Sequence, residues 1–98
     1  MQEQIAKQIT LEELRKQIDL VDTLLIKCLA KRQDIVLQIA KIKKQENLPI
    51  FCQERENQLI EERKMSALLL DLDSDFIKDI FKNILNNSRK TQEEIRWK

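Results

Sequence analysis

A stretch of roughly 36 residues, from Thr10 to Gln45, contains neither glycine nor proline, and its apolar residues recur at helical spacing. Thr10 and Glu13 form a capping-box pattern, in which each side chain satisfies a free backbone N–H at a helix start. The stretch therefore predicts one helix of about 54 Å. A chain of 98 residues folds to a radius of gyration near ~13 Å, so its remainder is too short to cover such a helix. We therefore expect a homodimer in which two long helices pack along much of their length.

One face of this long helix mixes charged residues with apolar ones. Positions three or four apart form a seam with a period near ~3.5 residues, as in a coiled coil. The seam consists of Leu11, Arg15, Ile18, Asp22, Leu25, Leu29, Arg32, Val36, Ile39 and Lys43. Burying an unpaired charge costs several kcal/mol, so a face used only for packing would not carry three cations. Either these cations meet buried acids, or they line a cavity that receives an anion.

Composition favours an all-α fold and excludes several classes of function. The chain has no glycine and one proline, with 42% apolar and 36% charged residues, which indicates a folded helical chain. The net charge of +1 gives no general attraction to nucleic acid or to an anionic membrane. The chain has no histidine, which excludes His-based catalytic triads and imidazole metal sites. Its N-terminus lacks the apolar core of a signal peptide and no segment reaches membrane-spanning length, so we expect a cytoplasmic protein.

We expect one domain over residues 1–98, with one long, one short and one medium helix. Asn47-Leu48-Pro49 should end the long helix, because proline lacks an N–H and disfavours helix at the preceding residue. Asp73 is expected to cap the last helix, and Leu68-Leu69-Leu70 to close the core before it. The predicted segments are a lead-in over 1–9 and helices over 10–45, 53–67 and 74–95. The predicted inward stripe of the last helix consists of Ile77, Ile80, Phe81, Ile84, Ser88, Gln92 and Ile95.

The spacing of the cations suggests how an anion could be bound. Arg32 and Lys43 project from nearly the same face, about 16 Å apart along the helix axis, so both can reach a small ligand between them. Arg15 lies about 25 Å from Arg32 on the same helix. In an antiparallel dimer, Arg15 of one chain instead reaches the Arg32 region of the other, which gives two equivalent sites.

The charges on the inward faces suit a dicarboxylate. Arginine's planar group binds a carboxylate through two parallel hydrogen bonds, and Ser88 and Gln92 would add neutral donors. The cations are Arg15, Arg32, Lys43 and Arg55, and the acids are Asp22 and Glu56. Taken singly, each cation is also compatible with an ordinary salt bridge or a solvated charge. Asp22 is interpreted as a structural partner of an arginine across the interface.

Five pieces of sequence, taken in order, extend this interpretation. They are Leu14-Arg15-Lys16-Gln17-Ile18-Asp19 with Asp22, Leu29-Ala30-Lys31-Arg32, Ile39-Ala40-Lys41-Ile42-Lys43, Pro49-Ile50 with Arg55-Glu56, and Ser88 with Thr91-Gln92. Together they resemble the all-helical, or type II, class of chorismate mutases over about Leu11 to Glu94. The resemblance implies an intertwined homodimer of three-helix chains that rearranges chorismate to prephenate, on the way to phenylalanine and tyrosine. It implies no cofactor and no metal, while the lack of a basic surplus argues against a nucleic acid or a membrane as partner.

The resemblance also implies a role for each matched residue. Arg15 from one subunit, with Arg32 and Ser88 from the other, should bind the substrate carboxylates, and Arg55 lies at the same polar cluster. Lys43 and Gln92 should donate to the ether oxygen, and Glu56 should accept the ring hydroxyl. The catalytic residues are thus expected to be Lys43, Gln92 and Arg32.

The chain departs from the family pattern in two places. Cys52 stands where many members carry an acid that caps the second helix and borders the hydroxyl end of the site, and a cysteine does both poorly. The terminal residues Ile95-Arg96-Trp97-Lys98 have no clear counterpart. With no second domain in the sequence, a stand-alone enzyme without its own feedback site is expected.

Two other functions stay open. A relative of the same fold, isochorismate-pyruvate lyase, shares most of the cationic positions and removes pyruvate from isochorismate. A non-catalytic helical dimerisation module, with seam charges that set the pairing register, would also fit the periodicity. In the second case, changing Arg32 or Lys43 would mainly alter dimerisation.

Overall fold

The computed structural model describes residues 8–98, which contain three helices and no strand. They are α1 (Leu11–Gln45), α2 (Gln53–Leu69) and α3 (Ser74–Arg96). The predicted all-α class, with one long, one short and one medium helix, is confirmed. Helices α2 and α3 run two residues and one residue past the predicted ends at 67 and 95. Most of the predicted lead-in over 1–9 lies outside the described residues.

Local sequence fixes both ends of α1. The Thr10 Oγ1 accepts the Glu13 N–H at 3.1 Å, and the Glu13 carboxylate accepts the Thr10 N–H at 3.1 Å, so the capping box forms. At the other end Asn47 has a φ of 55°, a left-handed conformation that asparagine tolerates well. The Leu48 N–H then donates to the Lys43 carbonyl at 2.8 Å, and Pro49 prevents continuation of the helix.

The other two helices begin differently. The Asp73 carboxylate accepts the N–H groups of Asp75 and Phe76 at 2.9 and 3.4 Å, so the predicted cap of α3 forms. Cys52 occupies the N-cap position of α2 with an extended backbone, and its side chain makes no cap hydrogen bond. The start of α2 therefore lacks a stabilising contact that α3 has.

The chain divides into two compact units, Met1–Arg32 and Gln33–Lys98, with the boundary inside α1. In the second unit α2 packs against α3. All of the buried apolar residues among 8–98 belong to this unit, and they are Val36, Ala40, Leu59, Ala67 and Leu85. This core positions the C-terminal part of α1, the start of α2 and the last turns of α3.

The described part of the first unit presents its apolar side chains to solvent. Exposed large apolar residues in it are Ile9, Leu11, Leu14, Ile18, Leu20, Val21, Leu24, Leu25, Ile26 and Leu29. No residue of the first unit from 8 onward is buried. A helix segment gains most of its stability from packing its apolar face, so this surface is suited to association.

The prediction that Leu68-Leu69-Leu70 closes the core is wrong for this chain. These leucines are 59%, 82% and 72% exposed, whereas Ala67 is 2% exposed. Successive residues of a helix point in directions about 100° apart. When Ala67 is buried, the side chains that follow it therefore point toward solvent. Within residues 8–98, none of the helices has the length and apolar character needed to cross a bilayer.

Candidate functional site

The centre of the candidate site is the side chain of Lys43, in the last turn of α1. Its Nζ donates to the Gln92 Oε1 at 2.8 Å and to the Ile50 carbonyl at 2.9 Å. Ile50 lies in the connection between α1 and α2, and Gln92 lies on α3. Three segments of the second unit therefore meet at one half-buried ammonium group.

The surroundings of Lys43 lower its pKa below the ordinary value for lysine. Burial is the largest cause, because it disfavours the charged form, and the positive charge of Arg96 acts in the same direction. Cys52 and Glu56 oppose this by favouring the charged form. The shift indicates that Arg96, Cys52 and Glu56 all act on this ammonium.

Gln92 is held by its own helix as well as by Lys43. Its Nε2 donates to the Ser88 carbonyl, one turn earlier, at 3.3 Å. Ser88 is buried, and its Oγ donates to the Ile84 carbonyl at 2.9 Å. The amide of Gln92 has two N–H donors, and one of them is used in this contact.

An ion pair connects the start of α2 to α3. The Arg89 Nη2 donates to both carboxylate oxygens of Glu56, at 3.0 and 2.9 Å. The Arg89 guanidinium carbon also lies 3.9 Å from the centre of the Phe51 ring, within the range of a cation–π interaction. Glu56 is therefore bound by a cation on α3.

Sequence reasoning missed Arg89, because the predicted stripe on α3 passed through Ser88 and Gln92. It also omitted Leu85, which is the buried apolar residue of α3. Arg89 follows Leu85 by four residues, which places the two side chains on one face. The four-residue spacing from Leu85 was the signal that could have identified Arg89. Ile80, which the predicted stripe included, is 36% exposed.

Hydrogen bonds connect the C-terminal end of α3 to the end of α1. The Lys44 Nζ donates to the carbonyls of Ile95 and Lys98 at 3.1 and 2.7 Å. Arg96 donates to the Leu48 carbonyl, in the turn that follows α1. The segment that had no counterpart in the family pattern thus supports the position of Lys43.

The predicted site residues fall into two groups. The structure brings Lys43, Gln92, Ser88 and Glu56 into the second unit's polar cluster, with Cys52 close enough to influence Lys43. Arg55 is exposed on α2 and takes no part in the cluster's hydrogen bonds described above. Arg15 and Arg32 belong to the first unit, where Arg15 is exposed and Arg32 half-buried.

The cluster combines donors for an anion with an acceptor for a hydroxyl group. Lys43 supplies a cationic donor and Gln92 a neutral one, while the Glu56 carboxylate can accept hydrogen bonds. Such a set can orient a ligand and stabilise negative charge on it.

Comparison with known proteins places this sequence in a family. The sequence profile of the family described as chorismate mutase type II matches residues 14–93. The T-protein of Haemophilus influenzae is 33% identical over 88 residues, which are 90% of this chain and 23% of that protein. A chorismate mutase of Methanocaldococcus jannaschii is 27% identical over 84 residues, covering 86% of this chain and 85% of that protein.

A shorter match is found with the bifunctional chorismate mutase/prephenate dehydratase of Aquifex aeolicus. It is 41% identical over 51 residues, which are 52% of this chain and 14% of that protein. The chain spans about a quarter of the length of the T-proteins that it matches. Because the family profile covers most of the sequence, the chain belongs to the chorismate mutase type II family.

Proposed function

We propose that this chain catalyses the rearrangement of chorismate to prephenate, a step in the synthesis of aromatic amino acids. The observation that supports this most is the half-buried Lys43 ammonium beside the Gln92 amide, in a chain of this family. The reaction breaks one C–O bond and forms one C–C bond within a single molecule. It therefore needs no nucleophile and no proton transfer, which agrees with a chain that has no histidine.

Lys43 and Gln92 are proposed to act on the ether oxygen of the substrate. Negative charge grows on this oxygen as its C–O bond breaks, and a fixed cationic donor stabilises that charge. Gln92 presents Oε1 toward Lys43 at 2.8 Å. Gln92 Nε2 uses one of its two N–H groups for the Ser88 carbonyl, and the other would donate to the same ether oxygen as Lys43.

The remaining matched residues are proposed to bind the rest of the substrate. Arg32 and Ser88 would bind the carboxylates together with Arg15 of the partner subunit, and Arg55 would add positive charge at the same end. Glu56 would accept the ring hydroxyl. Holding the enolpyruvyl arm over the ring in this way provides the near-attack geometry that a unimolecular rearrangement requires.

The proposed site requires a homodimer, because Arg15 is assigned to the other subunit. The exposed apolar side chains of the first unit support this part of the proposal. Ile18 and Leu25 lie in the predicted seam of α1, and each is 59% exposed in the single chain. Packing α1 against its counterpart would remove this apolar surface from water, at about 25 cal/mol per Å².

An absorbance assay of chorismate tests the proposal. The purified protein should consume chorismate and produce prephenate, and Arg32→Ala should remain folded and dimeric while losing most of this turnover. Conversion of isochorismate to salicylate and pyruvate, without prephenate from chorismate, would instead support the lyase. No turnover of either substrate, with Arg32→Ala altering only dimerisation, would support a non-catalytic module.

A further inference from the structure

We propose that Arg89 is a positioning residue, which holds the Glu56 carboxylate where it accepts the ring hydroxyl of the substrate. This inference rests on the proposed function, since it concerns the hydroxyl end of the same site. Arg89 has no contact with substrate in this proposal, and it acts through Glu56. The inference follows from three features of the Arg89 side chain and its neighbours.

The first feature is the direct contact between the two charges. One nitrogen, Nη2, donates to both oxygens of Glu56 at 3.0 and 2.9 Å. The side chains of Arg89 and Glu56 are 33% and 24% exposed, so solvent screens this pair less than a surface pair. A charge-assisted contact of this kind restricts rotation of the carboxylate and keeps it in one orientation.

The second feature is that Arg89 is itself fixed. Its guanidinium group lies over the Phe51 ring, with 3.9 Å between the guanidinium carbon and the ring centre. Phe51 directly precedes the N-cap residue of α2, and Glu56 lies in the first turn of α2. Arg89 therefore contacts both sides of the start of α2 from α3, and movement of this helix end would break both contacts.

The Nε atom of Arg89 supports the same interpretation. It is buried and has no hydrogen-bond partner among residues 8–98. Leaving a buried donor unpaired is unfavourable. The position of Arg89 therefore satisfies its contacts with Glu56 and Phe51 but leaves its Nε donor unsatisfied.

The third feature is that a second cation, Lys43, also attracts the Glu56 carboxylate. Glu56 favours the charged form of Lys43 and so opposes burial and the Arg96 charge, which lower the pKa of that lysine. Without Arg89, the carboxylate would be drawn toward the ammonium that is assigned to the ether oxygen. A carboxylate has about four lone-pair positions, so Glu56 can bind Arg89 and still accept a hydroxyl group.

The test compares two substrates and two matched variants. The substrates are chorismate and an analogue that lacks the ring hydroxyl but keeps the ether that rearranges. Arg89→Met removes the charge and keeps an apolar side chain near Phe51. Lys90→Met removes one positive charge from the adjacent, exposed position of the same helix. Circular dichroism and sedimentation check that each variant is folded and associated like the wild type.

We expect Arg89→Met to raise the KM for chorismate about tenfold, with a smaller change in kcat. The KM and kcat of Arg89→Met with the hydroxyl-free analogue should equal those of the wild type. Lys90→Met should leave KM and kcat unchanged for both substrates. Loss of a purely structural contact would instead impair both substrates equally, and that result would overturn the inference. Should Arg89→Met fail to fold, Arg89→Lys gives the same comparison, with a smaller rise in KM for chorismate alone.

The wild type separates failure of this inference from failure of the proposed function. A wild-type protein without chorismate turnover would overturn the proposed function and this inference with it. A wild type that turns over chorismate, with an Arg89→Met effect that is equal for both substrates, would overturn the inference alone.

Discussion

The Lys43 side chain shows how a charged group can be held in a partly apolar environment. Its ammonium group has two acceptors, the Gln92 amide and the Ile50 carbonyl, which offset part of the cost of burial. Because these acceptors come from separate segments, the position of Nζ is fixed by the fold of the whole second unit. A group fixed in this way can stabilise developing charge without reorganising during the reaction.

Removing the Lys43 charge should abolish most of the activity and leave the fold in place. Lys43→Met is expected to lower kcat/KM by about 10²–10³-fold, as for the loss of one fixed donor to developing charge. Lys41→Met is the matched control, because Lys41 is an exposed lysine two residues earlier on the same helix. Steady-state kinetics with chorismate would measure both variants. Equal activity in the two would contradict the role given to Lys43.

The lowered pKa of Lys43 leads to a prediction about alkaline solutions. The proposed mechanism uses the protonated amine, so kcat/KM should be flat between about pH 6 and 8 and should fall as Lys43 loses its proton. The Arg96 charge lowers the pKa of Lys43, so Arg96→Met should raise that pKa and move the fall to higher pH. A pH profile of kcat/KM measures the shift.

The control for this profile is Cys52→Ser, because the Cys52 side chain also acts on Lys43. Because Cys52 raises the pKa of Lys43, Cys52→Ser should move the alkaline fall to lower pH, opposite to Arg96→Met. A fall that neither substitution moves would mean that the assignment to Lys43 is wrong.

At the scale of the helices, the caps explain a difference in local stability. The Asp73 side chain accepts two N–H groups at the start of α3, whereas the Cys52 side chain accepts none at the start of α2. An N-cap side chain that accepts such a bond contributes about 1 kcal/mol. The first turn of α2, which carries Glu56, therefore lacks the cap contribution that the first turn of α3 has.

Two substitutions at these caps should have opposite effects. Asp73→Ala is expected to lower the free energy of unfolding by about 1 kcal/mol, and Cys52→Asp to raise it by a similar amount. Urea unfolding followed by circular dichroism measures both changes. A Cys52→Asp variant no more stable than the wild type would mean that the start of α2 is already satisfied in another way.

The helices also show how far sequence reasoning reached. The capping box of α1 and the Asp73 cap were predicted correctly, because each follows from local chemistry. The shared role of Lys43 and Gln92 came from the family resemblance and stays a prediction, although the two side chains are in contact. Arg89 and the exposure of Leu68-Leu69-Leu70 were not predicted. Both depend on how α2 and α3 are rotated against each other, and a three-to-four residue spacing alone does not determine this rotation.

At the scale of the whole molecule, the proposed site depends on association of two chains. The apolar residues of the first unit, from Leu11 to Leu29, are exposed in the single chain, which supports packing against a second copy. The assignment of Arg15 to the partner's site remains a prediction from the antiparallel pairing of α1. It has a direct consequence, because each active site would then need residues from both chains.

Subunit complementation tests this claim most directly. Arg15→Ala and Lys43→Ala chains are purified separately, each with little activity, and are then mixed in equal amounts under conditions that allow subunit exchange. Random pairing makes half of the dimers mixed, and each mixed dimer has one intact site of two. The mixture should therefore recover about a quarter of the wild-type chorismate turnover. Turnover that stays at the level of the separate variants after verified exchange would contradict a site shared between two chains.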